Sequence, residues 1–156
     1  MPRGWTVSFE IKPTSIDKKS TNILHATNGG KREAHGEKTP QISFKKGTTI
    51  LEICSTVNNN AKHCKESPEP LPLNKYTPVI VQQVQSITDN KYYFQIIING
   101  KIIANDPNDN ARTLENVSYF ASSDWERPAH AVLRNFQLKT YEHQGNNFIV
   151  RKKDNI

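Results

Sequence analysis

Residues Trp5 to Ile11 alternate without a break. Trp5, Val7, Phe9 and Ile11 share one face, and Thr6, Ser8 and Glu10 share the other. Period-two alternation of this kind specifies a β-strand with one buried and one wet face. No stretch of the chain holds a helical period instead. The remaining ordered segments are short, rich in β-branched and aromatic residues, and bounded by turn formers. They run over Thr21 to Thr27, Gln41 to Phe44, Thr48 to Ser55 and Tyr76 to Ile87. Further on, Tyr92 to Ile98 meets Asn99-Gly100 and continues as Lys101 to Ala104, which is the signature of a hairpin closed by a type I′ turn. Asn116 to Ser122, Ala131 to Tyr141 and the basic segment Asn147 to Lys153 complete the set.

Eight or nine strands at regular spacing, punctuated by nine prolines, predict an all-β fold. So many antiparallel strands hide their edges best in a two-sheet antiparallel jelly-roll sandwich. At 156 residues the chain supports one domain, expected over residues 1–145, with 146–156 as a basic edge strand or tail. Lys31 to Lys38 and Asn105 to Asn110 read as exposed loops. No apolar run is long enough for a transmembrane helix. The opening Met-Pro-Arg-Gly-Trp lacks the apolar core of a signal peptide, so the chain reads as a fragment of a longer precursor.

Four of these elements, taken in order, resemble laminin-G-like domains of the concanavalin-A-like jelly-roll superfamily. They are Trp5 to Pro13, Asn22-Ile23-Leu24-His25-Ala26, the hairpin Phe94 to Lys101, and Tyr119-Phe120-Ala121-Ser122-Ser123-Asp124-Trp125 followed by Val132 to Leu138. The likeness spans residues 5–141 and is strongest to lectin-like modules of secreted and cell-surface proteins of invertebrate animals. It implies an extracellular adhesion or glycan-recognition module, sometimes with calcium at one rim. The fold alone does not choose the ligand.

Cys54 and Cys64 flank a polar stretch, Ser55 to His63, which is read as a loop. The expected disulfide would tether that loop to the rim and fits a secreted protein. A metal site would need more ligands than the adjacent His63, and a catalytic thiol would need a low-pKa setting. On that loop, Asn58, Asn59, Asn60 and His63 offer amide and imidazole contacts to a ligand. Asp124, Trp125, Glu126 and Arg127 form a second candidate stretch. Its tryptophan either stacks on a sugar ring or plugs the end of the sandwich. Trp5 belongs to the core.

Asp106, Asn108 and Asp109 place hard oxygen ligands together, as a rim calcium site requires, although Asp and Asn also build turns for their own sake. Asn116-Val117-Ser118 matches the N-glycosylation acceptor pattern. Galectins pair a similar sandwich with a binding tryptophan, but the His-x-Asn-x-Arg strand of that family is absent here.

The net charge is +6, from 21 basic against 15 acidic residues. Basic residues cluster at Lys31, Arg32, Lys38, Lys45 and Lys46, and again at Arg151, Lys152 and Lys153. Such clusters attract acidic glycans through charge, while nucleic acid is not the expected partner. No paired carboxylate strand, Gly-x-Ser-x-Gly elbow or phosphate loop occurs, so the chain is expected to bind rather than catalyse. The expected function is carbohydrate binding by rim loops, secreted or at the cell surface. Protein-protein adhesion is the alternative, and polysaccharide hydrolysis a more distant one.

Overall fold

The computed structural model describes residues 1–144 and 147–152, with side chains as far as Tyr141. The chain forms two sheets packed as a jelly-roll sandwich, antiparallel except for one two-residue parallel pairing, and among the described residues there is no helix. It begins in the first sheet with β1 (Gly4–Pro13) and crosses to the second. There β2 (Thr21–Thr27), β3 (Gln41–Phe44), β4 (Leu51–Val57) and β5 (Asn60–Glu66) pair in sequence. The chain returns to the first sheet as β6 (Thr77–Gln85), β7 (Tyr92–Ile98) and β8 (Lys101–Pro107), with β6 beside β1. It touches the second sheet again through β9 (Ser118–Phe120) and β10 (Arg127–Pro128). It closes on the far side of β1 with β11 (Ala131–Gln144) and β12 (Asn147–Lys152).

The alternation read in the sequence decides which face is buried. Trp5, Val7, Phe9 and Ile11 of β1 enter the core beside Val79 and Val81 of β6 and Phe94, Ile96 and Ile98 of β7. Ile42, Phe44, Leu51 and Ile53 face them from the second sheet. Each such side chain contributes roughly 1.5–3 kcal/mol on burial. On the outer face of the first sheet the polar partners line up across four strands. Thr6 Oγ1 donates to Gln82 Oε1, Gln82 Nε2 to Gln95 Oε1, and Gln95 Nε2 to Asn105 Oδ1.

Two expectations are corrected. The stretch read as a loop between the cysteines is a hairpin, because Val57 pairs with Asn60 and Ser55 with His63. Its turn residues Asn58 and Asn59 have φ of 51° and 63°, the left-handed values a type I′ turn requires and asparagine tolerates. The disulfide therefore joins directly opposed residues, Cys54 and Cys64, rather than leashing a loop to the rim. The second correction concerns Asn105 to Asn110. Asn105 to Pro107 extend β8, and Asn108 is buried.

The basic segment near the C-terminus forms β12, paired along β11 from Lys139–Lys152 to Gln144–Asn147. Lys153 and the side chains of Arg151 and Lys152 lie outside the described residues.

Candidate functional site: a groove under Trp125

The free edge of β2 is shared by two short strands. β9 pairs with its C-terminal half, from His25–Phe120 to Thr27–Ser118, and β10 runs beside Thr21 and Asn22. Between these contacts the chain bows outward over residues 121–126. The bow is pinned from below. Glu126 Oε2 accepts hydrogen bonds from Ser43 Oγ at 2.6 Å and from Gln41 Nε2 at 3.0 Å, both buried on the outer face of β3. Its far end is held by Arg127, whose guanidinium donates to Asp17 Oδ1 at 2.5 Å. The backbone N–H of Lys19, and then Arg127, hold the Asp17 carboxyl below its ordinary value. Glu126 and Arg127, expected as ligand contacts, anchor the bow and also line a groove beside Trp125.

Trp125 stands on that bow, 43% exposed, with its ring centroid 6.0 Å from that of His25. The core-plug alternative is therefore not what the fold does with it. It forms a common wall of two grooves of about 400 Å³ and 410 Å³. The first is lined by His25, Arg32, Glu37, Phe120, Asp124 and Trp125, together with Thr27, Gly29, Gly30, Ser122 and Ser123. Phe120, 50% exposed, supplies a second aromatic surface. The second groove lies between Trp125, Lys19 and Arg127.

The far wall of the first groove comes from the Lys31 to Lys38 stretch, expected to be an exposed loop. Its first residues are exposed, but its end folds down against the sheet. Gly36 has φ of 85°, and a Cβ there would meet the Asn28 side chain at 2.6 Å, so glycine favours this close descent of the chain. The next residue, Glu37, is left 2% exposed. His25 Nε2 lies 2.8 Å from the backbone carbonyl of Glu37 and 3.4 Å from its Oε1. Neither carboxylate oxygen of Glu37 has a hydrogen-bond partner. A buried carboxylate without donors is costly, on the order of several kcal/mol. Arg32, on the same wall, sets its guanidinium 5.3 Å from the Trp125 ring centroid, within cation–π range.

The other candidates lie elsewhere and are already engaged. The Asn58 N–H donates to Asn108 Oδ1, its Nδ2 to the Pro107 carbonyl, and its Oδ1 accepts from the Asp109 N–H. Asn59 Oδ1 accepts from Arg112, and Asn60 Oδ1 from the Lys62 N–H. His63 and Lys65 reach Asp106 Oδ2 at 2.8 Å and 3.3 Å, joining the free edges of β5 and β8. Asp109 faces Lys91 at 3.7 Å, and Asn108 Nδ2 donates to Gln83. The oxygen atoms expected at a calcium rim thus serve the hairpin turn and the sheet edges. Among the described residues no group of three or more His, Cys, Asp or Glu is placed to hold a metal ion. Asn116 is exposed in a turn just before β9, with φ of 52°.

Sequence reasoning therefore found Asp124 and Trp125 but missed His25, Arg32 and Glu37 as their neighbours. A histidine inside the otherwise apolar run Ile23-Leu24-His25-Ala26 was the one visible signal.

No protein-family model matches the chain, and no curated protein matches it. Solved structures do. The enzymatically active domain of tailspike protein 2 from bacteriophage CBA120 aligns with a TM-score of 0.53 at 13% identity, over 91% of this chain and 23% of that one. The full-length tailspike protein 2 gives 0.49 at 13% identity, over 91% and 20%. The native heptameric SAP-like pentraxin of Limulus polyphemus gives 0.46 at 16% identity, over 88% and 64%. The chain thus spans 64% of the pentraxin's length and less than a quarter of either tailspike chain. Identities this low speak to the fold alone: a β-sandwich. A disulfide joins the two cysteines, and no described helix is long and apolar enough to cross a membrane.

Proposed function

We propose that the chain is an extracellular, lectin-like recognition module of the laminin-G-like kind, and that it binds glycan in the grooves on either side of Trp125. One observation carries this reading. A carboxylate with both oxygens unpartnered sits in a groove whose rim holds two half-exposed aromatic rings. Sugars present the matching chemistry: an apolar ring face that packs on an aromatic plane, and hydroxyls that donate to carboxylate oxygens. The two grooves meeting at Trp125 would allow successive sugar units to cross the tryptophan. The Cys54–Cys64 bond supports an oxidising compartment. Binding rather than catalysis agrees with the use of Glu126 as an anchor for Ser43 and Gln41.

Tryptophan fluorescence tests this directly. Trp5 is buried, so Trp125 reports on the groove. An oligosaccharide that binds should shift the Trp125 emission, and Trp125→Ala should abolish both the signal and retention on a glycan array. A folded sample that retains no neutral, acidic or basic glycan removes the proposal.

A protein-contact reading has its own support in the exposed Val132 and Phe136 of β11, on a different part of the molecule. Capture of a surface protein that survives Trp125→Ala but fails on Phe136→Asp would favour it.

A further inference from the structure

The groove holds an imbalance that a neutral sugar does not correct. Glu37 is charged when ionised, is almost wholly buried, and receives no hydrogen bond at either oxygen. His25, its ion-pair neighbour, has Nε2 closer to the Glu37 backbone carbonyl, at 2.8 Å, than to the carboxylate, at 3.4 Å. Asp124 adds a second carboxylate to the same lining. Arg32 is the one full positive charge on that lining, and among the described residues it makes no ion pair within 4 Å with either acid. It lies instead over the Trp125 ring. The protein therefore already places a cation on the aromatic face and leaves a buried, unpartnered carboxyl group beside it.

Aromatic ring and buried carboxylate together form the arrangement that selects an ammonium group. The ring quadrupole attracts the cation, and the carboxylate accepts its N–H donors as charge-assisted bonds, about twice as strong as those from neutral hydroxyls. We propose that the ligand of this groove is a sugar bearing a free, protonated amino group, whose ammonium meets Glu37 while its ring packs on Trp125 or Phe120. This rests on the glycan reading above and narrows it to amino sugars. Arg32 is exposed and can swing aside, so the incoming ammonium takes over the cationic role it plays against the tryptophan.

The probes are a glucosamine tetrasaccharide and its fully N-acetylated counterpart, which differ in charge at the amino nitrogen. Each is titrated calorimetrically into the wild-type chain at about pH 5.5, where the amine carries its proton. The free amine is expected to bind about 10- to 100-fold more tightly, the range that one charged hydrogen-bond partner supplies. Glu37→Gln should remove that preference while Trp125→Ala weakens both ligands. Equal binding of the two tetrasaccharides, or a preference for the acetylated one, overturns the amino-sugar inference and leaves the glycan reading standing. A Glu37→Gln variant that keeps the full preference overturns it as well. Binding of neither probe, together with a blank glycan array, overturns both. The wild-type comparison decides the matter even where the variant fails to fold.

Discussion

Replacing Glu37 by glutamine should make the protein more stable, which is unusual for a change at a buried polar residue. The Glu37 side chain is 2% exposed and its carboxyl oxygens accept no hydrogen bond. Burying a charged carboxylate without donors costs on the order of several kcal/mol, and the one ion-pair contact it makes, to His25 Nε2, is a long 3.4 Å. Glutamine keeps the shape and removes the charge, but its amide, buried without partners, still costs about 1–3 kcal/mol. The difference favours the variant by about 1–3 kcal/mol. For a domain of this length, that raises Tm by roughly 2–10 °C. Thermal and urea unfolding at pH 8 measure it, the latter through a rise in midpoint at unchanged slope. Lower stability in the variant would refute the reasoning, because it would mean that the carboxylate is a satisfied structural partner. Stability gained together with binding lost is the pattern of a group kept for a ligand.

Glu126 should behave in the opposite way. Glu126→Ala strips an acceptor from Ser43 and Gln41, both buried, and should cost about 2–4 kcal/mol in urea unfolding, with the Trp125 emission shifting towards that of a solvated indole. Reducing Cys54–Cys64, which closes a span of ten residues, should lower stability by about 2–3 kcal/mol and Tm by roughly 5–10 °C in a scan with and without dithiothreitol. An unchanged midpoint would show that the β4–β5 turn already confines the unfolded hairpin. The acid limb has a defined sign. Arg134, then Asn135, hold the Glu10 carboxyl below its ordinary value, as the Lys19 N–H and Arg127 hold Asp17. Both contributions are complete above the ordinary carboxylate range and are lost as the pH falls through the lowered values. Tm measured from pH 6 downward should therefore start to drop near pH 4, and Glu10→Gln should flatten part of that drop.

The strands that the sequence reveals are those in which one face is apolar. β1, β2, β3 and β7 lie where alternation or apolar runs put them, because burial of that face selects the register. β5 escaped notice for the converse reason. Asn-Ala-Lys-His-Cys-Lys-Glu is an edge strand with a single buried side chain, and its turn is Asn-Asn rather than Asn-Gly. The site was half legible. Asp124 and Trp125 stand out as an aromatic beside charge, but their neighbours come from His25 and Glu37, far away in sequence. Only the pairing of β9 and β10 along the single edge of β2 brings these groups together. Glu37 looked like one more charge in a solvated loop. Its burial depends on the turn that Gly36 permits, and periodicity carries no record of that.

The clasp of His63 and Lys65 on Asp106 has a consequence for how such a molecule behaves in a crowd. It ties together β5 and β8, edge strands of the two sheets whose outer backbone groups would otherwise be open to another chain on this side. β5 also carries Lys62, while β8 has Lys101, a register shift opposite Ile96 and Ile97, and Pro107. Charge, irregular register and a missing N–H are the means by which sheet proteins discourage strand addition. An incoming strand would have to break the clasp and bury lysines along its path. Growth into fibrils from this side is thereby disfavoured. Strand addition is thereby steered away from the β5 and β8 side, while the Trp125 grooves lie along a different edge, that of β2.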